Sequence, residues 1–362
     1  MNVYLDHNAT APLRPAAREA MVAAMDLVGN ASSVHGHGRA ARQLLEAARR
    51  DVAALVGAPA AQVIFTSGAT EANNLALAAA GGGPVAVSAV EHESIIGAGQ
   101  DFAVLAVDGD GVVDGDAMER TLATAAPALV SVMAANNETG VVQPIGELAA
   151  RAKATGALFH SDMVQVAGKR DILDTAGIDL ISLSAHKIGG PAGIGALINL
   201  GDVDLTPVLR GGGQERGRRA GTENLVGIAG FAAAARAAML GRDDFARLAQ
   251  LRDRFEDDIL AAIPDIYIAG QGRPRLVNTA CLALPGVTAS TLVMSLDLAG
   301  FSVSAGAACS SGKVERSHVL AAMAAPAWAA AGAVRISLGW NTVAADLDGL
   351  VEACVRLYKR AA

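Results

Sequence analysis

Short, largely apolar runs alternate with segments of helical periodicity along most of the chain. Val63–Thr66, Pro84–Ser88, Ala103–Val107, Ala128–Met133, Leu158–Ser161, Ile178–Leu183 and Ile194–Leu200 read as buried strands. Glu71–Ala80, Ser94–Gln100, Asp116–Ala125 and Ile145–Thr155 lie between them and read as helices. Upstream, Val3–Pro15 is irregular, Ala16–Val28 is helix-like, Gly29–Gly38 is a loop, and Arg39–Val56 is an amphipathic helix. Strands apolar on both faces, separated by helices, predict an α/β fold with a mostly parallel seven-stranded sheet covered on both sides. Two long helices follow, Thr222–Leu240 and Asp243–Ile263, and after Pro264 the elements become shorter. That change of texture predicts a smaller α+β domain after a large one; the expected division is 15–241 for the large domain and 1–14 with 242–362 for the smaller.

Composition sharpens this picture. The chain is 52% hydrophobic but only 3% aromatic, so Ala, Val, Leu and Ile fill its core, as suits helices and parallel strands. A net charge of −7 with mixed signs argues against nucleic acid or an anionic membrane as the main partner. The longest apolar stretch, Val319–Val334, contains Pro326 and is too short to span a bilayer. The first residues carry no basic region followed by an apolar one, which predicts a cytoplasmic protein without a secretory signal. The three cysteines, Cys281, Cys309 and Cys354, are an odd and sparse set that reads as reduced thiols. No metal-ligand spacing occurs.

Ligands of open α/β sheets collect at the carboxyl ends of the strands. Thr66-Ser67-Gly68-Ala69-Thr70-Glu71 ends one strand and opens a helix, where small residues and free N–H groups suit an anion. Glu91-His92-Glu93 follows the next strand and places an imidazole there; Asn136-Asn137-Glu138-Thr139-Gly140 follows another. His160-Ser161-Asp162-Met163-Val164-Gln165 carries a carboxylate suited to a protonated ring nitrogen. Each set alone also reads as an ordinary cap or turn. Ser184-Ala185-His186-Lys187 then puts a lysine at the end of an apolar strand, before a Gly/Pro-rich turn. A lysine in that setting either reaches solvent or is kept for chemistry, since a desolvated amine condenses readily with an aldehyde. Polar sets at successive strand ends of one sheet, with Lys187 among them, describe a site.

These segments resemble a known family. Ser184-Ala185-His186-Lys187 with Gly190-Pro191, and Asp162-x-x-Gln165, are similar to the pyridoxal phosphate enzymes of fold type I, in the class V aminotransferase branch. Tyr4-Leu5-Asp6-His7-Asn8-Ala9-Thr10, Ser32-Ser33-Val34-His35, the Asn136–Gly140 set and Gly211-Gly212-Gly213-Gln214-Glu215-Arg216 resemble the cysteine desulfurases of the NifS/IscS group. So does Ser304-Ala305-Gly306-Ala307-Ala308-Cys309-Ser310-Ser311-Gly312, which is similar to that group's active-cysteine loop and falls in the smaller domain. The resemblance runs from Val3 to about Gly339, with the motifs in the family's order.

The resemblance implies roles residue by residue. Lys187 would bond the cofactor's aldehyde and shuttle protons, His92 would stack on its ring, Asp162 would pair with the ring nitrogen, and Gln165 would bond the phenolic oxygen. Ala69, Thr70, Ser184 and His186 would hold the phosphate, joined by Thr222 from the partner subunit of a homodimer. Asn137 and Arg335 would hold the carboxylate of L-cysteine. Cys309 would take the substrate's sulfur as a persulfide and pass it to an acceptor protein, an iron–sulfur scaffold or a sulfur carrier. Cys281 and Cys354 read as buried structural thiols instead. A selenocysteine lyase or a cysteine sulfinate desulfinase keeps the same fold and stays open as an alternative, as does a non-catalytic sulfur-carrier partner. The chain departs from the pattern at Ala305 and Ala307, where relatives often carry Ser, and in ending soon after Tyr358. Both departures bear on which acceptor is served.

Overall fold

The computed structural model describes residues 2–99, 101–169, 175–241, 243–306 and 316–361. The chain opens on a short strand, β1 (Val3–Tyr4), followed by helices α1 (Pro15–Met25) and α2 (Gly36–Ala54). Pro15 at the first turn of α1 supplies a preset φ where no N–H is needed. The glycine-rich loop is shorter than its composition suggests, because His35 caps α2 by accepting from the Gly38 amide at 3.3 Å. The main sheet follows: β2 (Val63–Thr66), β3 (Val85–Ser88), β4 (Ala103–Leu105), β5 (Leu129–Ser131), β6 (Leu158–Asp162), β7 (Leu180–Ser184) and β8 (Gly195–Asn199). Their order is β2-β8-β7-β6-β5-β3-β4, with helices α3 (Ala69–Ala78) and α4 (Glu93–Ile96) opening directly after β2 and β3.

All pairings among β3 to β7 are parallel, and β8 runs antiparallel to both β2 and β7. The sheet is therefore mostly parallel, with a single reversed strand. Reversal follows from the turn after Lys187, where Gly189 and Gly193 take left-handed φ of 83° and 78°. At Gly189 a side chain would also meet Arg14 Cγ at 2.6 Å. β8 thus starts, rather than ends, beside the carboxyl ends of its neighbours.

Two expected helices differ in length. The Ser94–Gln100 segment forms only α4, because Gly97 closes it after one turn by donating to Glu93 O at 2.8 Å. The helix expected from Thr222 begins at Leu225, since Asn224 caps it through the Gly227 amide at 3.0 Å.

The sheet and its helices close over one apolar core that includes Met118, Leu148, Phe159 and Phe231. A second core gathers Leu5, Phe255, Ile259, Leu282, Leu292 and Leu350. It lies against an antiparallel four-stranded sheet of order β12-β13-β10-β9, made of β9 (Tyr267–Ile268), β10 (Thr279–Ala283), β12 (Ser304–Ala305) and β13 (Ala333–Ser337). Fully burying each such Leu, Ile or Phe contributes about 1.5–3 kcal/mol. The N-terminal stretch, irregular in its composition, is ordered by this second unit. β1 pairs in parallel with β11 (Phe301–Ser302), and Asp6 bridges Ser337. No helix among the described residues is long and apolar enough to cross a membrane.

Candidate active site

At the carboxyl end of the main sheet lies a cavity of about 410 Å3. Ala69, Thr70, His92, Asn137, Asp162, Gln165, Ser184, His186, Lys187 and Arg335, all expected at a site, line this one space. Thr222 lies in a neighbouring cavity of about 240 Å3 that shares Ser67 and Gly193 with the first. Cys309 lies outside the described residues. The segment that carries it leaves the described chain at Gly306, just beyond Ser304 on the cavity wall.

Each wall follows from a strand end. After β2, Gly68 is extended (φ 163°), and α3 presents its first amides to the cavity. A Cβ at Gly68 or Gly193 would meet nothing within 4 Å, so the space beside the α3 N-terminus is open to a ligand. At the end of β6, Asp162 is buried and held by two donors: Asn73 Nδ2 at 2.8 Å and the Val164 amide at 3.0 Å. Asn73 also donates to Ser94 Oγ at 2.8 Å, and Ser94 meets His92 Nδ1 at 2.8 Å. Asp162 and His92 are therefore fixed by one network running through α3 and α4. Asn73 and Ser94 carry no signal in the sequence beyond their helices. They matter because the sheet brings α3 and α4 over the end of β6.

Lys187 sits in the short turn of helix after β7, and its Nζ donates to the carbonyls of Asn8 at 2.7 Å and Ala9 at 2.9 Å. The N-terminal segment thus forms part of the site. Thr10 Oγ1 meets His186 Nδ1 at 2.7 Å, and Gln165 Nε2 donates to Asn8 O at 3.1 Å. Arg335, on β13, donates to Asp6 Oδ1 at 2.7 Å and to Asn137 O at 3.1 Å. Its Nε is buried without a partner among the described residues.

Burial lowers the pKa of His92, against the opposing pull of Asp162. Burial, aided by Lys187, pushes His186 down to about 4. Both rings are thereby favoured as neutral groups, suited to stacking and hydrogen bonding. Cys281 and Cys354 are free and buried, and desolvation pushes each thiol up to about 12. Neither is a ready nucleophile.

Behind the site, His160 spans three strands, meeting Ser131 Oγ through Nδ1 at 2.8 Å and Ser182 Oγ through Nε2 at 2.9 Å. Complete burial brings it down to about 4, against 6.5 in the unfolded chain. Above pH 6.5 both states are neutral; as pH falls towards 4 the unfolded chain takes the proton first, so stability is lost through that window. Its share is about 3 kcal/mol at roughly 1.4 kcal/mol per pH unit. Denaturant titrations from pH 7 to 4 should show a shallower decline for His160→Asn than for the parent chain. Parallel profiles would refute the assignment.

The family model for aminotransferase class V matches residues 3–350. A protein of Cereibacter sphaeroides named "Cysteine desulfurase" is 46% identical, the match covering 97% of this chain and 94% of that one. The chain belongs to the class V aminotransferase family, in its cysteine desulfurase group. "Cysteine desulfurase IscS" of Dictyoglomus turgidum is 38% identical over 99% of this chain and 95% of its own length. A solved structure of a NifS-like protein from Rickettsia africae superposes with a TM-score of 0.91 at 35% identity, covering 99% of this chain and 100% of that one. Class V aminotransferases use pyridoxal phosphate, and the cavity fits that group on its own terms. It joins a lysine amine, a buried carboxylate, an imidazole whose pKa burial lowers and an open helix N-terminus.

Proposed function

We propose that this protein is a pyridoxal phosphate-dependent cysteine desulfurase that converts L-cysteine to L-alanine and receives the sulfur on Cys309. The observation that carries the reading is the convergence of Lys187, Asp162 and His92 on one cavity, at ends of separate strands. When bound, the cofactor supplies an electron sink for charge developing on the substrate's carbons.

The chain's own residues do the rest. Ala69 and Thr70 offer amides at the start of α3, and with Ser184 and His186 they bind the phosphate. Asp162, held by Asn73 and Val164, keeps the ring nitrogen protonated. His92 covers the ring face, and Gln165 donates to the phenolic oxygen. Arg335 and Asn137 receive the substrate's carboxylate, and the Arg335 guanidinium, already anchored by Asp6, gives it direction. Lys187 Nζ holds the cofactor at rest and then moves the proton of the substrate's α-carbon. The Cys309 thiolate attacks the substrate's sulfur. The C–S bond breaks with its electron pair left on carbon, a proton is added there to give alanine, and a new S–S bond holds the sulfur on the enzyme.

Further parts belong to the same proposal. The chain divides at 15–241 and at 1–14 with 242–362, and it works as a cytoplasmic homodimer. Thr222, in its adjoining cavity, completes the phosphate site of the partner. The sulfur passes to an acceptor protein, an iron–sulfur scaffold or a sulfur carrier. The test is direct. Purified protein loaded with cofactor and given L-cysteine should form L-alanine, gain the mass of one sulfur atom per chain, and release sulfide continuously once a thiol reductant is present. Cysteine left intact, or consumed without alanine, would overturn the reading.

A further inference from the structure

Lys169 is a buried lysine that the proposed chemistry does not use. It is 6% exposed, and its Nζ donates to Gln165 Oε1 at 2.9 Å and to Asn8 Oδ1 at 3.2 Å. Both acceptors are neutral amides, and no carboxylate pairs with it among the described residues. The charges that act on it, Lys187 and Arg335, are of its own sign and, after burial itself, help bring it down to about 7. An amine placed this way costs stability relative to an apolar residue of its size. Packing does not explain it.

Its hydrogen-bonding character does. A lysine donates and never accepts, so it can meet an amide only through the amide's oxygen. Gln165 Oε1 is turned to Lys169, and Gln165 Nε2 is turned the other way, one N–H spent on Asn8 O and the second left for the cavity Gln165 lines. Asn8 is fixed by the same rule. Its Oδ1 accepts from Lys169 and from Asn278 Nδ2 at 3.2 Å, and its Nδ2 donates to Thr279 Oγ1 at 2.9 Å. Asn8 is also the residue whose carbonyl receives Lys187.

We infer that Lys169 is a positioning residue: it locks the Gln165 amide with its nitrogen, never its oxygen, towards the cavity. The inference rests on the proposed assignment of Gln165 to the cofactor's phenolic oxygen. Without Lys169 the Gln165 oxygen is left buried and unbonded, and the amide turns to satisfy it at the expense of the donor facing the cofactor.

The test is a double-mutant cycle on the cofactor-loaded protein, read as the pH midpoint of the bound cofactor's visible absorbance. Losing the donor to an anionic oxygen should raise the midpoint by about one unit, the tenfold change of one charge-assisted hydrogen bond. Gln165→Ala and Lys169→Met should each do so, and the double variant should shift no further than Gln165→Ala alone. Lys169→Arg keeps a donor-only side chain, and the cavity of about 30 Å3 that Lys169 lines gives the larger head room. It should restore the parent midpoint, which keeps the test decisive if the Met variant folds poorly. A midpoint unmoved in Lys169→Met, or shifts that add in the double variant, would overturn the inference while the role of Gln165 stands. A midpoint unmoved in Gln165→Ala would overturn both.

Discussion

Lys187→Ala is expected to yield a folded protein that turns over L-cysteine at least about a thousandfold more slowly, as loss of a positioned proton-transfer group requires. The cofactor's visible band should shift, because no amine remains to bond its aldehyde. Two carbonyls, Asn8 O at 2.7 Å and Ala9 O at 2.9 Å, aim the lysine's Nζ from the N-terminal side while its backbone leaves the end of β7. Among the described residues no other amine lines the cavity, and Lys169, which lines a neighbouring one, is committed to Gln165 and Asn8. Spectra and steady-state rates on the same preparation check both effects. Turnover within tenfold of the parent would sink the assignment of Lys187.

Cys309→Ser should behave differently. Cofactor content and its visible band should match the parent, because no cofactor-holding residue is touched. Alanine and sulfide formation should fall about a thousandfold, since a hydroxyl neither ionises near neutral pH nor takes sulfur as a thiolate does. The other thiols cannot take over, because Cys281 and Cys354 are buried and pushed up to about 12. Assays of the variant with L-cysteine, selenocysteine and cysteine sulfinate separate the readings. Loss on cysteine alone fits a desulfurase that also eliminates better leaving groups, whereas full activity on cysteine would remove Cys309 from the reaction.

Much of this site was legible in the sequence because its parts lie at strand ends, and strand ends are marked by where apolar runs stop. Asp162 closes β6, Ser184 closes β7, and Ser67-Gly68 intervenes between β2 and α3. Alternation of strands and helices likewise carries the mostly parallel sheet. It does not carry strand order or the reversal of β8, because a buried strand is apolar in either direction. Nor does it reveal Asn73, Ser94, Asn8 or Lys169. Asn8 reaches Lys169, and Asn73 reaches Asp162, across long sequence separations. A polar residue on a helix face looks the same whether it faces water or a partner from another element. The short α4 is a local matter, decided by Gly97 against a pattern that otherwise favours helix.

The N-terminal segment has a consequence for how the enzyme is made. Its first strand pairs with Phe301–Ser302, Asp6 bonds Arg335, Asn8 bonds Thr279, and Ala11 donates to His186 O at 2.8 Å. Most of these partners therefore leave the ribosome long after the segment they hold. All seven strands of the large sheet lie between β2 and β8, and the helices that share its core end by Leu240, so that unit can form on the emerging chain. The carbonyls that receive Lys187 touch the large unit through Gln165 and His186, and their seating is completed when β11 and β13 arrive, a closure of long sequence separation and correspondingly slow. A nascent chain halted before Ser337 carries a finished sheet and an unfinished catalyst, so sulfur chemistry waits until β13 has been made.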